Sequence, residues 1–106
     1  KTLIVFYSTG CPHCQSMIPR LSEITRGTGQ GVLAVLAVSL DESRDVWLEF
    51  IKANRLTWVN VIDTRGWSGR AASDYCIYAT PTMILLDGEK KIIGKPLTIE
   101  ELQKLL

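Results

Sequence analysis

The chain has one histidine and three cysteines in 106 residues, and these scarcities exclude more than the abundant residues do. One histidine leaves no second imidazole to serve as base for a nucleophile–histidine–acid hydrolase. Three cysteines are too few for a disulfide-stapled miniature fold, and an odd number cannot all pair within one chain. An excess of one charge sign is also lacking. Twelve basic and 11 acidic residues give a net charge of +1, so there is no electrostatic footprint for nucleic acid and no polybasic membrane patch. The longest strongly apolar run, Val32 to Leu40, is about half of the roughly 20 residues that cross a bilayer. No repeat, linker or low-complexity stretch is visible, which excludes a disordered tail and a collagen-like fibre.

What remains is an ordinary globular composition, 46% hydrophobic and 22% charged, at a length that predicts one domain spanning residues 1–106. The chain starts at Lys1 rather than methionine, so the expectation is a trimmed or processed piece, with any signal peptide or anchor upstream.

Leu3 to Tyr7 reads L-I-V-F-Y, a short apolar run that predicts a strand buried on both faces. From Cys11 to about Arg26 the period becomes helical through Met17, Ile18, Leu21 and Ile24. Pro12 suits a first helical turn, whereas Pro19 falls mid-helix and predicts a kink. Gly27, Gly29 and Gly31 predict a loop before a second buried strand, Val32 to Leu40. Asp41 to Ser43 offers an N-cap for an amphipathic helix, Arg44 to Asn54, with Val46, Trp47, Phe50 and Ile51 on its apolar rows. Val59 to Ile62 reads as a short strand, Gly66 to Gly69 as a loop, and Ser68 to Tyr75 as a helix. Thr82 to Leu86 is the next buried strand. Asp87-Gly88 signals a hairpin turn, with Lys91 to Gly94 as the partner strand. Thr98 and Glu101 form a capping box ahead of Ile99, Leu102, Leu105 and Leu106. The order β, α, β, α, β, α, β, β, α predicts an α/β layered fold. Its early strands are parallel, its last two antiparallel, and its central sheet is mixed.

The chemistry concentrates in Cys11-Pro12-His13-Cys14, placed after a strand and at the opening of a helix. Unpaired N–H groups and the positive end of the helix dipole both favour a thiolate at Cys11. His13 adds to this by charge or by hydrogen bond. Cys14 lies one turn inward. In the redox reading, Cys11 attacks a substrate disulfide and Cys14 resolves the mixed disulfide, leaving Cys11–Cys14 oxidised; the reverse sequence oxidises a dithiol. Two bland readings compete. Zinc usually takes four ligands from two such pairs, and here there is one pair, one histidine and a distant Cys76. A static disulfide across two intervening residues closes almost no loop and stabilises little.

These residues resemble the thioredoxin superfamily. L-I-V-F-Y-S-T-G-C-P-H-C-Q-S-M-I-P is similar to its first strand and active-site helix, and Pro19 matches its helix-kinking proline. Tyr78-Ala79-Thr80-Pro81-Thr82 resembles its second signature, a cis-proline before a buried strand. The resemblance implies a thioredoxin-like fold in which Pro81 faces the C-x-x-C and the backbone of Thr80 pairs with the substrate chain. The segment from Asp41 to Ile62 is similar to the helix-strand insertion of the TlpA/ResA-like branch. That insertion lies between the second core strand and the helix before the cis-proline. W-L-E-F-I-K and L-T-W-V-N-V-I-D resemble exported thioredoxin-like proteins of Bacteroidetes-type bacteria.

The resemblance also has gaps. Thioredoxin's buried aspartate, six residues before the first cysteine, is Val5 here, and the tryptophan before that cysteine is Gly10. The expectation is that the family's N-terminal hairpin has been trimmed from this piece. The Pro-His dipeptide resembles that of DsbA-type oxidases, where a histidine stabilises the reduced thiolate. The TlpA-like body implies a reductase in an oxidising compartment.

The reading taken is a thiol-disulfide oxidoreductase acting on protein thiols and disulfides, more a reductase than a DsbA-like oxidase. Cys11 and Cys14 are catalytic, Pro12 and His13 tune the potential, and Thr80 and Pro81 hold substrate. The redox-active pair replaces any cofactor, and no metal is required. The resemblance further implies an upstream redox partner, a monomer, and an exported, periplasmic or membrane-tethered location. Two rival readings compete with it, a peroxiredoxin, and a Cu(I) or haem-delivery module with Cys11 and Cys14 as soft ligands. Cys76 reads as a bystander thiol and Trp47 and Trp58 as core. Trp67, Tyr7 and Tyr78 are candidates for shaping the groove, and Asp63, Arg65, Lys90 and Lys91 read as solvated charges.

Overall fold

The computed structural model describes residues 1–27, 33–75, 77 and 79–106. The expected loop through Gly29 and Gly31, the start of the second strand at Val32, and the roles considered for Cys76 and Tyr78 lie outside the described residues.

Strand β1 (Thr2–Tyr7) is the centre of the sheet. It pairs in parallel with β2 (Ala34–Ser39) and antiparallel with β4 (Thr82–Leu86). On the outer sides, β3 (Val59–Ile62) runs parallel to β2, and β5 (Ile92–Gly94) runs antiparallel to β4. The order is β3-β2-β1-β4-β5, the predicted mixed sheet. A strand alternates its side chains between faces. Leu3, Val5 and Tyr7 therefore enter one core and Ile4 and Phe6 the other, which is why the run is continuously apolar.

Among the described residues, four helices cover the sheet. On the Leu3–Val5–Tyr7 face, α1 (Pro12–Gly27) contributes Cys14, Ile18 and Leu21. Helices α2 (Arg44–Asn54) and α4 (Ile99–Leu105) add Trp47, Ile99 and Leu102. The opposite face takes Ala71 and Ala72 of α3 (Arg70–Asp74) with Ile77. Each fully buried aliphatic side chain contributes about 1.5–3 kcal/mol. Ser43 caps α2 through the Val46 N–H, and Thr98 caps α4 through the Glu101 N–H. Helix α1 runs on through Pro19.

Several expectations are corrected. Gly66–Ser68 is a 3-10 turn rather than plain loop, and the following helix is confined to Arg70–Asp74. Gly66 has φ +57, and a Cβ there would meet the Leu40 carbonyl at 2.8 Å, so glycine is required. Asp63 is not merely a solvated charge. Its carboxylate accepts from the N–H groups of Arg65 and Ala71, the latter in the first turn of α3, tying β3 to that helix. Val46 is exposed, because Trp47, about 100° round the helix, takes the buried row. The hairpin loop runs over residues 87–91, and Lys90, not Gly88, takes the left-handed conformation at φ 68. Asp87 Oδ1 sets this loop by accepting from the N–H groups of Glu89 and Lys91. Lys90 Nζ also reaches Thr2 Oγ1 at 3.1 Å.

Candidate active site

Strand β1 ends at Tyr7, and the chain turns over Ser8–Gly10 into α1. The Ser8 carbonyl accepts from the Cys11 N–H at 3.1 Å, and the Cys11 carbonyl accepts from the Gln15 N–H at 3.0 Å. Cys11 therefore stands at the N-cap position, beside the unpaired N–H groups of the first turn. No acidic side chain lies in that turn to oppose a thiolate. Cys14 falls on the inward face and is 0% exposed. Both cysteines are free, so the pair is present as a dithiol.

Sheet register brings in the second signature. Thr82 pairs with Phe6, so Thr80 and Pro81 lie just before the start of β4, beside the turn that follows β1. The Cys11 thiol donates to the Thr80 carbonyl at 3.5 Å, across 69 residues of sequence. The Thr80–Pro81 peptide is cis. Thr80 was expected to act through its backbone. Its side chain also favours the charged form of both sulfurs, a contact the sequence reading missed.

The two thiols are driven apart. Burial opposes ionisation of Cys11, but contacts from Cys14, Thr80 and the His13 N–H outweigh it and hold the thiol below its ordinary value of 9.0. Cys14 is pushed up to about 12, chiefly by burial, with Cys11 adding to the rise and the Ser8 backbone and Thr80 side chain acting against it. At neutral pH Cys11 is the readier nucleophile and Cys14 keeps its proton.

Pro12 and His13 are exposed at the mouth of the site. His13 and Pro81 line a shallow groove with Met17, Arg20, Leu97 and Thr98. Leu97 is 81% exposed, and Arg20 pairs with Glu100 at 2.7 Å between α1 and α4. Both partners of that ion pair are exposed, so its contribution is small. Met17, expected on the core side of α1, is shared between core and groove. Trp67 is half exposed on the 3-10 turn and is not among the groove residues. Tyr7 does not shape the groove either, because it is wholly buried behind the site. Its hydroxyl and the Trp47 Nε1 have no hydrogen-bond partner among the described residues. The Tyr7 hydroxyl is pushed up to about 12 by burial, with Asp41 and Cys14 adding to the rise against a smaller opposing influence of Trp47.

Val5, where thioredoxin carries a carboxylate, is 0% exposed and packs in the core. A different carboxylate approaches the site. Asp41, read from sequence as part of a helix cap, turns back onto Ser8 and Thr9. Ser43 alone caps α2.

Comparison with known proteins agrees with this arrangement. Residues 1–92 match a family model described as thioredoxin-like. The sporulation thiol-disulfide oxidoreductase A of Bacillus subtilis is 31% identical over 111 residues, covering 98% of this chain. The chain spans 65% of the length of that curated relative. A thiol-disulfide oxidoreductase from Bacteroides fragilis superposes with a TM-score of 0.80 at 31% identity, over 99% of this chain and 80% of that one. The crystallised thioredoxin domain of a thiol-disulfide oxidoreductase from Bacteroides vulgatus gives a TM-score of 0.85 at 26% identity, over 98% and 74%. Among the described residues, no helix is long and apolar enough to cross a membrane.

Proposed function

The chain belongs to the thioredoxin-like family, and from that premise we propose that it exchanges disulfides with protein substrates through Cys11 and Cys14. The observation that supports this most is the asymmetry of the pair, with a partly buried Cys11 held below its ordinary pKa and a fully buried Cys14 held above it. In the reducing direction the Cys11 thiolate attacks one sulfur of a substrate disulfide. That S–S bond breaks, a Cys11–substrate disulfide forms, and one substrate thiolate leaves. Cys14 then gives up its proton to that thiolate and attacks the Cys11 sulfur. The second substrate sulfur departs as a thiolate and takes a proton from solvent. Two electrons pass to the substrate and the site ends as a Cys11–Cys14 disulfide. A dithiol protein partner returns the two electrons.

The Thr80 carbonyl lies against Cys11 and Pro81 lines the groove beside His13, where the two offer backbone to an extended substrate chain. Pro12 and His13 tune the potential from the helix N-terminus. The pair itself carries the chemistry, with no metal, flavin or nucleotide. We further place the protein in the TlpA/ResA-like branch, on the helix-strand segment α2–β3, and outside the cytoplasm as a reductase. A second direction is favoured by one observation: the His13 N–H helps the Cys11 thiolate, which stabilises the reduced form. Equilibration of the pair with glutathione separates the two. The reductase reading predicts a potential near that of thioredoxin, about −270 mV, and a value near about −120 mV would establish the oxidase instead.

A further inference from the structure

The turn that presents Cys11 is tied down by a carboxylate from another loop. Asp41 Oδ1 accepts from the Thr9 N–H at 3.0 Å, the Thr9 Oγ1 hydroxyl at 2.8 Å and the Ser8 hydroxyl at 3.2 Å. Asp41 Oδ2 accepts from the Ser39 hydroxyl and, more weakly, from the Thr9 N–H at 3.2 Å. The Asp41 N–H donates to Ser39 Oγ at 3.0 Å, which fixes the carboxylate against the end of β2. Thr9 and Ser39 are both buried, so these donors have little water to fall back on. From the other side, Gln15 Nε2 donates to the Thr9 carbonyl at 2.8 Å, and the Cys11 N–H donates to the Ser8 carbonyl at 3.1 Å.

We propose that Asp41 is a positioning residue for the redox pair, acting through Ser8 and Thr9. This rests on the redox reading above and extends it to a residue outside both sequence signatures. Ser8 is the link. Its carbonyl receives the Cys11 N–H, and its backbone acts on the Cys14 sulfur. Holding Ser8 and Thr9 therefore holds both cysteines at once. Hydrogen bonds to a charged acceptor are stronger than those between neutral groups, so one carboxylate with this many donors can fix a short turn.

Two substitutions separate the clamp from the charge. Asp41→Ala removes every acceptor. Asp41→Asn keeps the Oδ1 acceptor for Thr9 and Ser8 while losing the negative charge. The rate of Cys11 alkylation by iodoacetamide is measured at fixed neutral pH, with circular dichroism to confirm folding. The expected result is a drop of about tenfold in Asp41→Ala, the size expected for a buried group losing its partner. Asp41→Asn is expected to stay at or above the wild-type rate, because a nearby negative charge has gone. An alkylation rate in folded Asp41→Ala equal to wild type overturns the proposal, and so does Asp41→Asn as slow as Asp41→Ala. If Asp41→Ala does not fold, Thr9→Val removes the 2.8 Å hydroxyl contact alone. A slowed Thr9→Val then supports the clamp and an unchanged rate overturns it. Alkylation does not depend on disulfide exchange. A wild type that alkylates normally but exchanges no disulfides therefore defeats the redox reading and leaves the clamp standing.

Discussion

Cys11→Ser is expected to reduce disulfide exchange to the uncatalysed background, while Cys14→Ser keeps the first step and stalls on the second. The two outcomes differ because the sulfurs occupy different places. Cys11 sits at the N-cap position, within 3.5 Å of the Thr80 carbonyl, with its thiol held below 9.0. A serine hydroxyl there ionises far too weakly to attack sulfur. Cys14 is fully buried and can reach only what is already bonded to Cys11. Its loss leaves the mixed disulfide with no resolving thiol, so a protein–substrate adduct accumulates and is released by reductant. Insulin reduction and non-reducing electrophoresis read the two results. Exchange retained in Cys11→Ser, or no adduct in Cys14→Ser, would contradict the assignment.

Leu102→Ala is expected to be the most damaging change outside the site. Leu102 is 0% exposed and is one of two buried anchors, with Ile99, that hold α4 on the sheet. Truncating a leucine in such a place costs about 2–5 kcal/mol through lost burial and the cavity left behind. A domain of this size has only about 5–15 kcal/mol in total. The loss reaches the site as well, because α4 and the residues before it supply Leu97 and Thr98 to the groove beside His13. Urea unfolding is expected to show a lower midpoint with an unchanged slope. A cost below about 1 kcal/mol would mean that α4 does not anchor as described.

Much of this was legible in the sequence because local patterns coincide with the final environment. The L-I-V-F-Y run reads as doubly buried, and β1 is the central strand. Cys11 and Cys14 announce themselves by placement between a strand and a helix. The missed features depend on contacts between distant segments. Nothing near Asp41 in sequence says that its carboxylate turns back across 32 residues to Thr9. Its position before Ser43 suggested a cap. The groove needs Arg20 and Glu100 to meet from 80 residues apart. The Thr80 side chain was invisible for the same reason, since only the β1–β4 register brings it to the cysteines. Local misreadings had local causes. Val46 and Trp47 are adjacent, and composition does not say which one faces inward. Asp87 rather than Gly88 organises the hairpin loop through its own side chain.

The central claim is that one thiol of the pair is primed and the other is kept in reserve. The pH dependence of alkylation at each cysteine of the reduced protein, resolved by peptide mass mapping, tests it most directly. A thiol held low carries more thiolate at a given pH, and one held high carries less. Cys11 is therefore expected to be labelled first, with a midpoint below 9.0, and Cys14 to resist labelling until the pH approaches about 12. Equal labelling of the two cysteines, or Cys14 reacting before Cys11, would contradict the account.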